Sequence, residues 1–250
     1  DFLSSALAAA HARVGEGRVT PRLDRSTVRA QLIGFDFAAP RSLEDVISWV
    51  IAQMEDGIVH FDHPRYLGLF NPAPSFPAQC ADRIAAVFNP QLATASTSPA
   101  AVEIERHTIV AVARRAGLTG ETGGNFTTGG TEANYTALLC ALTRAEPRFA
   151  ADGVRAFPGP LALYASRECH IAWLKIAHQA GIGRSAVHLV KTDGRGCMDP
   201  DALVQAIDAD RAAGRVPVMI AATAGTTNAG MIDPLPACAE IARTHGLWIH

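Results

Sequence analysis

The sequence predicts an α/β fold in which helices cover both faces of a mostly parallel sheet. From residue 124 onward, short apolar segments rich in β-formers alternate with helical segments. Two of those helices open with Asp-Pro pairs, Asp199-Pro200 and Asp233-Pro234, which are typical helix starts. Successive strand–helix steps favour parallel strands joined by right-handed crossovers. The 250 residues, 48% of them hydrophobic, suffice for a large core.

The order of the elements predicts two domains, residues 1–95 and residues 96–250. The first is mainly helical, with amphipathic helices over 42–54, capped by Ser42, and over 77–88. The second opens with a helix that begins at Ser98-Pro99 and stops at Gly117. Its strands are predicted at 124–128, 161–165, 186–190, 216–222 and 247–250. Its helices are predicted at 131–144, 170–180, 199–213 and 234–245.

A two-glycine turn joins the first of these strands to its helix. Gly129-Gly130 permits a sharp bend, and Thr131 stands where a helix N-cap is expected. Free backbone N–H groups and the positive end of the helix dipole would then form a socket for an anion. A plain tight connection that binds nothing is the alternative. Neither a Walker Gly-Lys-Ser/Thr nor a G-x-G-x-x-G pattern is present, so the turn does not indicate ATP or a dinucleotide.

Composition argues against several classes of partner. The formal charge of -2 gives no electrostatic footprint for nucleic acid or for an anionic membrane. No apolar run approaches the roughly 18 residues of a membrane span, and the start lacks the layout of a signal peptide. Five cysteines without a C-x-x-C pair fit reduced thiols in a cytoplasm. His60, Asp62 and His63 fall in an irregular segment rather than on a helix face, so no metal site is predicted.

Six motifs in order resemble the group II pyridoxal-phosphate decarboxylases, which act on aromatic amino acids, glutamate, histidine and diaminobutyrate. The three in the α/β part are Thr-Gly-Gly-Thr-Glu-Ala-Asn at 128–134, Cys-His at 169–170 and Ala-Gly-Thr-Thr-Asn-Ala-Gly-Met-Ile-Asp-Pro at 224–234. The others are His-Pro-Arg-Tyr at 63–66, Ser-Pro-Ala-Ala at 98–101 and Leu-Trp-Ile-His at 247–250. The resemblance runs from about residue 40 to the end. It implies the fold type I architecture of aspartate aminotransferase, with 96–250 as the domain that binds pyridoxal 5'-phosphate. It also implies a homodimer with active sites at the subunit interface.

The resemblance assigns roles to particular residues. Gly130 and Thr131 match the positions that bind the cofactor phosphate. His170 matches a histidine that stacks on the pyridine ring; the alternative is a histidine that caps the following helix. Thr227 matches a threonine beside the ring and the substrate, although Thr226 and Thr227 are equally placed to serve as a turn hydroxyl.

The implied activity is decarboxylation of an L-amino acid to its amine by a cytoplasmic carboxy-lyase of amino acid metabolism. Phe70, Asn71 and Pro72 match the segment that contacts the substrate side chain. They depart from the Tyr-Phe-Pro-Thr associated with aromatic decarboxylases, but Phe70 still supplies a ring and favours an aromatic or bulky substrate. Another carbon–carbon lyase, an aldehyde-forming synthase of the same fold and a non-catalytic cofactor-binding fragment or pseudoenzyme are the alternatives.

Two groups that this chemistry requires are expected beyond His250. His250 matches the histidine of a His-x-Asp motif whose carboxylate pairs with the pyridine nitrogen, and the Schiff-base lysine follows farther on. The chain has only two lysines, Lys175 and Lys191, and neither stands after a late strand. The chain is therefore expected to be incomplete at its C-terminus and to turn over no substrate alone.

Overall fold

The computed structural model describes residues 2–120 and 122–250 and divides the chain into two units. The first unit runs to Asn89 and the second begins at Pro90. The sequence-based boundary between residues 95 and 96 stays a prediction.

The first unit consists of four helices joined by irregular segments. They are α1 (Phe2–Val14), α2 (Arg25–Leu32), α3 (Leu43–Gly57) and α4 (Phe76–Phe88). The predicted cap of α3 is confirmed, because the Ser42 hydroxyl accepts a hydrogen bond from the Asp45 N–H at 3.1 Å. Helix α4 ends at Asn89, whose left-handed φ of 43° stops the helix. None of the described side chains in these four helices is fully buried, so the unit has little core of its own.

The second unit alternates helices and strands, as predicted. Its helices are α5 (Pro99–Arg115), α6 (Gly130–Ala145), α7 (Phe149–Asp152), α8 (Ala172–Gln179), α9 (Pro200–Ala212) and α10 (Leu235–His245). Its strands are β1 (Leu161–Ser166), β2 (Val187–Val190), β3 (Val216–Ala221) and β4 (Trp248–Ile249). Each predicted helix and four of the five predicted strands are present within a few residues of their predicted bounds.

The strands form one parallel sheet in the order β2-β1-β3-β4. Strand β1 is buried along its whole length, and its side chains alternate between the two faces. Leu161, Leu163 and Ala165 join a core with side chains of α6 and α8. Ala162 and Tyr164 join a second core with side chains of α9 and α10. Helices therefore cover both faces of the sheet.

The prediction of a strand at 124–128 is wrong, because these residues belong to none of the strands in the described part of the chain. A strand needs a neighbour to hydrogen-bond with, and this segment makes no ladder with the sheet. The Phe126 N–H instead donates to the carboxylate of Glu105 on α5 at 2.9 Å. A side chain of α5, rather than a neighbouring strand, therefore holds this segment.

This topology opens a crevice at the carboxyl edge of the sheet. Helix α8 follows β1 onto one face, whereas α10 follows β3 onto the other. Since β1 and β3 are adjacent, the loops after them part in opposite directions. Ligands of open parallel sheets bind at such points. The loops that carry Cys169-His170 and Thr226-Thr227 both leave the sheet here.

Candidate active site

Helix α6 begins with an exposed first turn whose backbone donors are unused. Gly129 is the N-cap, with extended backbone (φ 171°, ψ 171°) and no side-chain cap. Thr131 is thus not the N-cap predicted for it; it lies inside the first turn, because the helix begins one residue earlier than predicted. Among the described residues, no hydrogen bond uses the N–H groups of Gly130, Thr131 and Glu132, whereas the Ala133 N–H donates to the Gly129 carbonyl. Three amides and the positive end of the helix therefore face an open surface.

Glu132 ties the helix back to the segment before it. Its carboxylate accepts hydrogen bonds from the Thr128 hydroxyl at 2.6 Å and from the Thr128 N–H at 2.8 Å. These bonds, from the hydroxyl first and then the amide, hold the pKa of the exposed Glu132 carboxyl below its usual value. The ionised side chain fixes the approach to the glycine turn without occupying the three free amides.

The turn borders an open cleft of about 760 Å³. The cleft is lined by Tyr135 and Gln179 together with residues 128–132. A Cβ added at Gly129 or at Gly130 would meet no atom within 4 Å, so the backbone here is accessible to a ligand.

His170 lies in the loop between β1 and α8 and is exposed. Its Nδ1 accepts a hydrogen bond from the Ala172 N–H at 3.2 Å, so the side chain satisfies an amide at the start of α8. The capping role that the sequence left open is therefore present. Because Nδ1 accepts, a neutral ring carries its proton on Nε2. The stacking role of His170 stays a prediction. The hydrogen bond from Ala172 is made to the ring edge at Nδ1 and does not cover either face of the ring.

The adjacent threonines Thr226 and Thr227 lie in opposite surroundings. Thr226 is 1% exposed, and its hydroxyl accepts a hydrogen bond from the Met231 N–H at 3.2 Å. Its N–H donates to the Met231 carbonyl at 2.9 Å. Thr226 is thus the turn hydroxyl, whereas Thr227 is exposed and its hydroxyl takes no part in these turn bonds. Thr227 is the one that can face a ligand.

The Asp-Pro pair suggested that Asp233 caps α10, but it does not. The residue is 2% exposed, and Pro234 occupies the N-cap position. Its carboxylate accepts hydrogen bonds from the Met198 N–H at 2.7 Å and from the Thr223 N–H at 2.8 Å. The backbone carries the side chain into the protein, since the loop after β3 closes on itself just before α10.

His250 brings the start of α6 close to the start of α8. Its Nε2 lies 3.0 Å from Oδ1 of Asn134, one helical turn beyond the free amides of α6. Its ring lies edge-on to that of Trp173, 5.7 Å between centroids, one turn beyond His170. Burial of the imidazole lowers the pKa of His250, although part of the residue remains exposed. His250 thus contacts Asn134, about one helical turn from the glycine turn, and Trp173, about one helical turn from His170.

The remaining predicted residues lie elsewhere. Phe70, Asn71 and Pro72 are exposed in an irregular segment of the first unit, and their substrate role stays a prediction. Lys175 and Lys191 are both exposed. No group of three potential metal ligands occurs in the described residues. In that same part of the chain, none of the helices has the length and apolarity to cross a membrane.

Free amides at a helix start, beside the switch point of a parallel sheet, are the arrangement with which one class of α/β proteins binds phosphorylated ligands. Comparison with known proteins specifies the family. The model of the pyridoxal-dependent decarboxylase conserved domain matches residues 34–250, and the chain belongs to this family. The resemblance inferred from the motifs is thereby confirmed, and pyridoxal 5'-phosphate is the family's cofactor.

Relatives and solved structures agree with this assignment. The acidic amino acid decarboxylase of Mus musculus is 34% identical over 197 residues, which are 77% of this chain and 36% of that protein. The cysteine sulfinic acid decarboxylase of Rattus norvegicus is 42% identical over 127 residues, 51% of this chain and 26% of that protein. The tryptophan decarboxylase of Catharanthus roseus, solved with L-tryptophan, superposes with a TM-score of 0.89 at 25% identity over 99% of this chain and 54% of that one. The fold type I architecture is confirmed, and the chain spans about half the length of the solved protein.

The donors at the start of α6 fit the cofactor's phosphate. Three free amides, the Thr131 hydroxyl and the positive end of a helix of 16 residues suit a group with close to two negative charges. The one acidic side chain of the first turn, Glu132, is occupied by Thr128.

Sequence reasoning missed three residues that shape this site: Glu132, Asn134 and Asp233. Asn134 had a signal, because asparagine early in a helix is a poor helix former and often serves a side-chain contact. Glu132 is four residues after Thr128, one more than the capping-box spacing. Asp233 carried a misleading signal, because Asp-Pro before a helix is the usual pattern of a cap.

Proposed function

We propose that the protein containing this chain is a pyridoxal-phosphate-dependent carboxy-lyase that converts an L-amino acid into its amine. The observation that carries the proposal is the open first turn of α6, with its unused amides, within the residues 34–250 that the family model matches. The names of the relatives support the reaction type.

Each residue of the crevice has a separate task in this proposal. Gly130 and Thr131 bind the phosphate through their N–H groups, and Thr131 adds its hydroxyl. His170, whose tautomer is fixed by the bond from Ala172, packs a flat imidazole on the pyridine ring. Thr227 contacts the ring and the substrate from the loop after β3.

The bound cofactor supplies an aldehyde that links to the substrate amine and a ring that accepts the electron pair left when carbon dioxide departs. The chain positions that chemistry. Binding energy at the phosphate, remote from the reacting carbon, holds the ring in one orientation in the crevice. His170 covers the ring with a group that, in its neutral form, adds no charge to it.

The substrate side chain is proposed to meet residues 70–72. Phe70 is 72% exposed and offers a ring to an aromatic or bulky side chain. The two relatives are named for acidic substrates, whereas the solved tryptophan decarboxylase is named for an aromatic one. A panel that contains both classes is therefore needed.

A cytoplasmic homodimer completes the proposal. Helix α4 exposes Phe76, Ile84, Val87 and Phe88, each at least 60% accessible. Large apolar side chains grouped on one helix mark an interaction surface. A second copy of the chain is the partner that we propose for it.

Incubation of the whole protein with pyridoxal phosphate and an amino acid tests the function. Bound cofactor is followed by absorbance, and L-tryptophan, L-glutamate and L-cysteine sulfinate are the substrates. Release of carbon dioxide with the matching amine is expected for one class. The Gly130→Pro variant, which lacks one phosphate donor, is expected to bind the cofactor more weakly.

Other products separate the alternatives. An aldehyde in place of the amine would assign the aldehyde-forming reaction instead. Cofactor binding without turnover of any amino acid would favour a non-catalytic protein. No cofactor absorbance at all would overturn the proposal.

A further inference from the structure

Asp233 joins two loops at the carboxyl edge of the sheet. One carboxylate oxygen accepts from the N–H of Met198, in the loop between β2 and α9, at 2.7 Å. The other accepts from the N–H of Thr223, just after β3, at 2.8 Å. The Asp233 N–H in turn donates to the Thr223 carbonyl at 2.9 Å. One buried side chain thus closes the loop 223–233 at its base and attaches it to the neighbouring loop.

The closed loop carries Thr227 at its exposed end. Above Asp233, an antiparallel bridge pairs Ala224 with Ile232. The paired hydrogen bonds between Thr226 and Met231 form the next rung. Thr227 follows this rung and is exposed. The position of its hydroxyl therefore depends on a hairpin whose base is held by Asp233.

A second contact ties the same two loops together. Gly196 has φ +78°, and a Cβ placed on it would overlap the sulfur of Met231. The loop after β2 therefore packs directly on the hairpin that carries Thr227. The position of that hairpin depends on backbone packing as well as on the carboxylate.

We propose that Asp233 is a positioning residue, which sets Thr227 against the cofactor ring by pinning the hairpin 223–233 to the loop after β2. The cofactor contact rests on the proposed function, but the pinning does not. A carboxylate is required because each of its two oxygens accepts from a different backbone N–H group. An asparagine would accept with one oxygen and direct its own N–H groups at a backbone N–H.

Asp199 provides a matched control. It also accepts from two backbone amides, Asp201 N at 2.9 Å and Ala202 N at 3.3 Å, but it does so as the N-cap of α9. Asparagine caps helices as well as aspartate does. Asp199→Asn is therefore expected to change little, whereas Asp233→Asn removes a bond that asparagine cannot replace.

Amide NMR and hydrogen exchange on the whole protein without cofactor test the pinning. In Asp233→Asn, the amides of Met198 and Thr223 are expected to shift and to lose protection, together with residues 224–231. In Asp199→Asn these amides are expected to stay as in the parent chain. Unchanged exchange at 223–233 in Asp233→Asn would overturn the proposal. If that variant fails to fold, Asp233→Glu, which keeps the charge but moves the carboxylate away from the two amides by one methylene group, is expected to expose the same amides, and unchanged exchange in it would also contradict the pinning.

Binding of two probes to the whole protein tests whether Asp233 affects the contact between Thr227 and the cofactor ring. Inorganic phosphate reports on the start of α6 alone, whereas pyridoxal phosphate adds the ring contacts. Asp233→Asn is expected to lower the affinity for pyridoxal phosphate about tenfold and to leave the affinity for inorganic phosphate unchanged. Asp233 and Thr227 then act as residues of one coupled network. Thr227→Val in the Asp233→Asn background is expected to add little, since Thr227 is already displaced. Equal weakening of both probes, or fully additive effects, would overturn the role.

The two failures are distinguishable. A parent protein that binds neither probe would refute the proposed function, and the exchange data would still decide whether Asp233 pins the hairpin. A parent that binds both probes, with an Asp233→Asn variant that binds them equally well, would refute the positioning role alone.

Discussion

Thr226 and Thr227 show how far two neighbouring residues of one type differ in what they do. The Thr226 side chain is buried and bonded to the Met231 amide, whereas that of Thr227 is exposed. The sequence motif contains both threonines and does not show which one is buried. Inside a turn, burial depends on the turn's hydrogen bonds rather than on a periodic pattern.

Substitution of each threonine by valine, which keeps the shape and removes the hydroxyl, tests this difference. Thr226→Val leaves the half-buried Met231 N–H without its side-chain acceptor and is expected to lower the free energy of unfolding by about 1–2 kcal/mol. Thr227→Val is expected to change it by less than about 0.5 kcal/mol, as at ordinary surface positions. Urea unfolding of both variants measures the difference, and equal losses would contradict the assignment of the buried hydroxyl.

The cysteines give a second test at this scale. Burial, reinforced by the negative charge of Asp233, raises the pKa of Cys169 to about 11, and the same causes raise the pKa of Cys238 to about 11. Cys80 and Cys140 are exposed. Only the thiolate reacts, so at pH 8 Cys169 and Cys238 should alkylate far more slowly, with rates that rise as the pH approaches 11.

Peptide mass spectrometry after brief iodoacetamide treatment of the native chain measures the order in which the cysteines are alkylated. Cys80 and Cys140 are expected first. Denaturation in urea before alkylation is the control, and it should make all four thiols react alike. Equal native rates would contradict the half-buried setting of Cys169 and the buried one of Cys238.

At the scale of elements, the sequence predicted the helices and most strands because their signals are local. Helix α3 has a Ser cap, and α9 has an Asp cap followed by proline; both caps form the expected hydrogen bonds. The segment 124–128 has the composition of a strand, but a strand also requires a partner that composition does not reveal. The same limit applies to Asp233, whose partners are distant in sequence.

The start of α6 is the element on which the account depends most, and proline tests it selectively. Gly130 is the first helical residue, where proline is well tolerated, and Gly129 has the extended backbone that a residue before proline prefers. Gly130→Pro removes one free N–H without a helical partner. We expect stability within about 1 kcal/mol of the parent and phosphate affinity lower by about tenfold or more.

Gly130→Ala is the matched control, because it adds a methyl group in open space and keeps the N–H. Calorimetric titration with inorganic phosphate, together with thermal unfolding, separates binding from folding. A proline variant that binds phosphate as well as the alanine variant would show that this amide is not a donor.

At the scale of the whole molecule, the two units differ in how they bury apolar side chains. The second unit has cores on both faces of its sheet. The described helices of the first unit bury no side chain fully and expose apolar groups on α4. Amphipathic periodicity predicted the first unit's helices correctly, but it does not tell whether an apolar stripe is covered by the same chain.

The exposed stripe predicts self-association. Val87 and Phe88 are 73% and 76% exposed at the end of α4. The double change Val87→Lys and Phe88→Lys is expected to shift the chain towards monomer in sedimentation equilibrium, and lysine near a helix C-terminus should not destabilise α4. Ala86→Lys, at an exposed position near the same end of the helix but on a different side from Ile84, Val87 and Phe88, is the control for added charge. A chain that is monomeric before any substitution would contradict the prediction.

The central claim is that the amides at the start of α6 hold the phosphate of pyridoxal phosphate. Titration of the ¹⁵N-labelled chain with pyridoxal phosphate, followed by amide NMR, tests it without requiring turnover. The account predicts saturable shifts largest at Gly130, Thr131 and Glu132, reproduced by inorganic phosphate at higher concentration. Saturation at other amides, with these three unchanged, would contradict it.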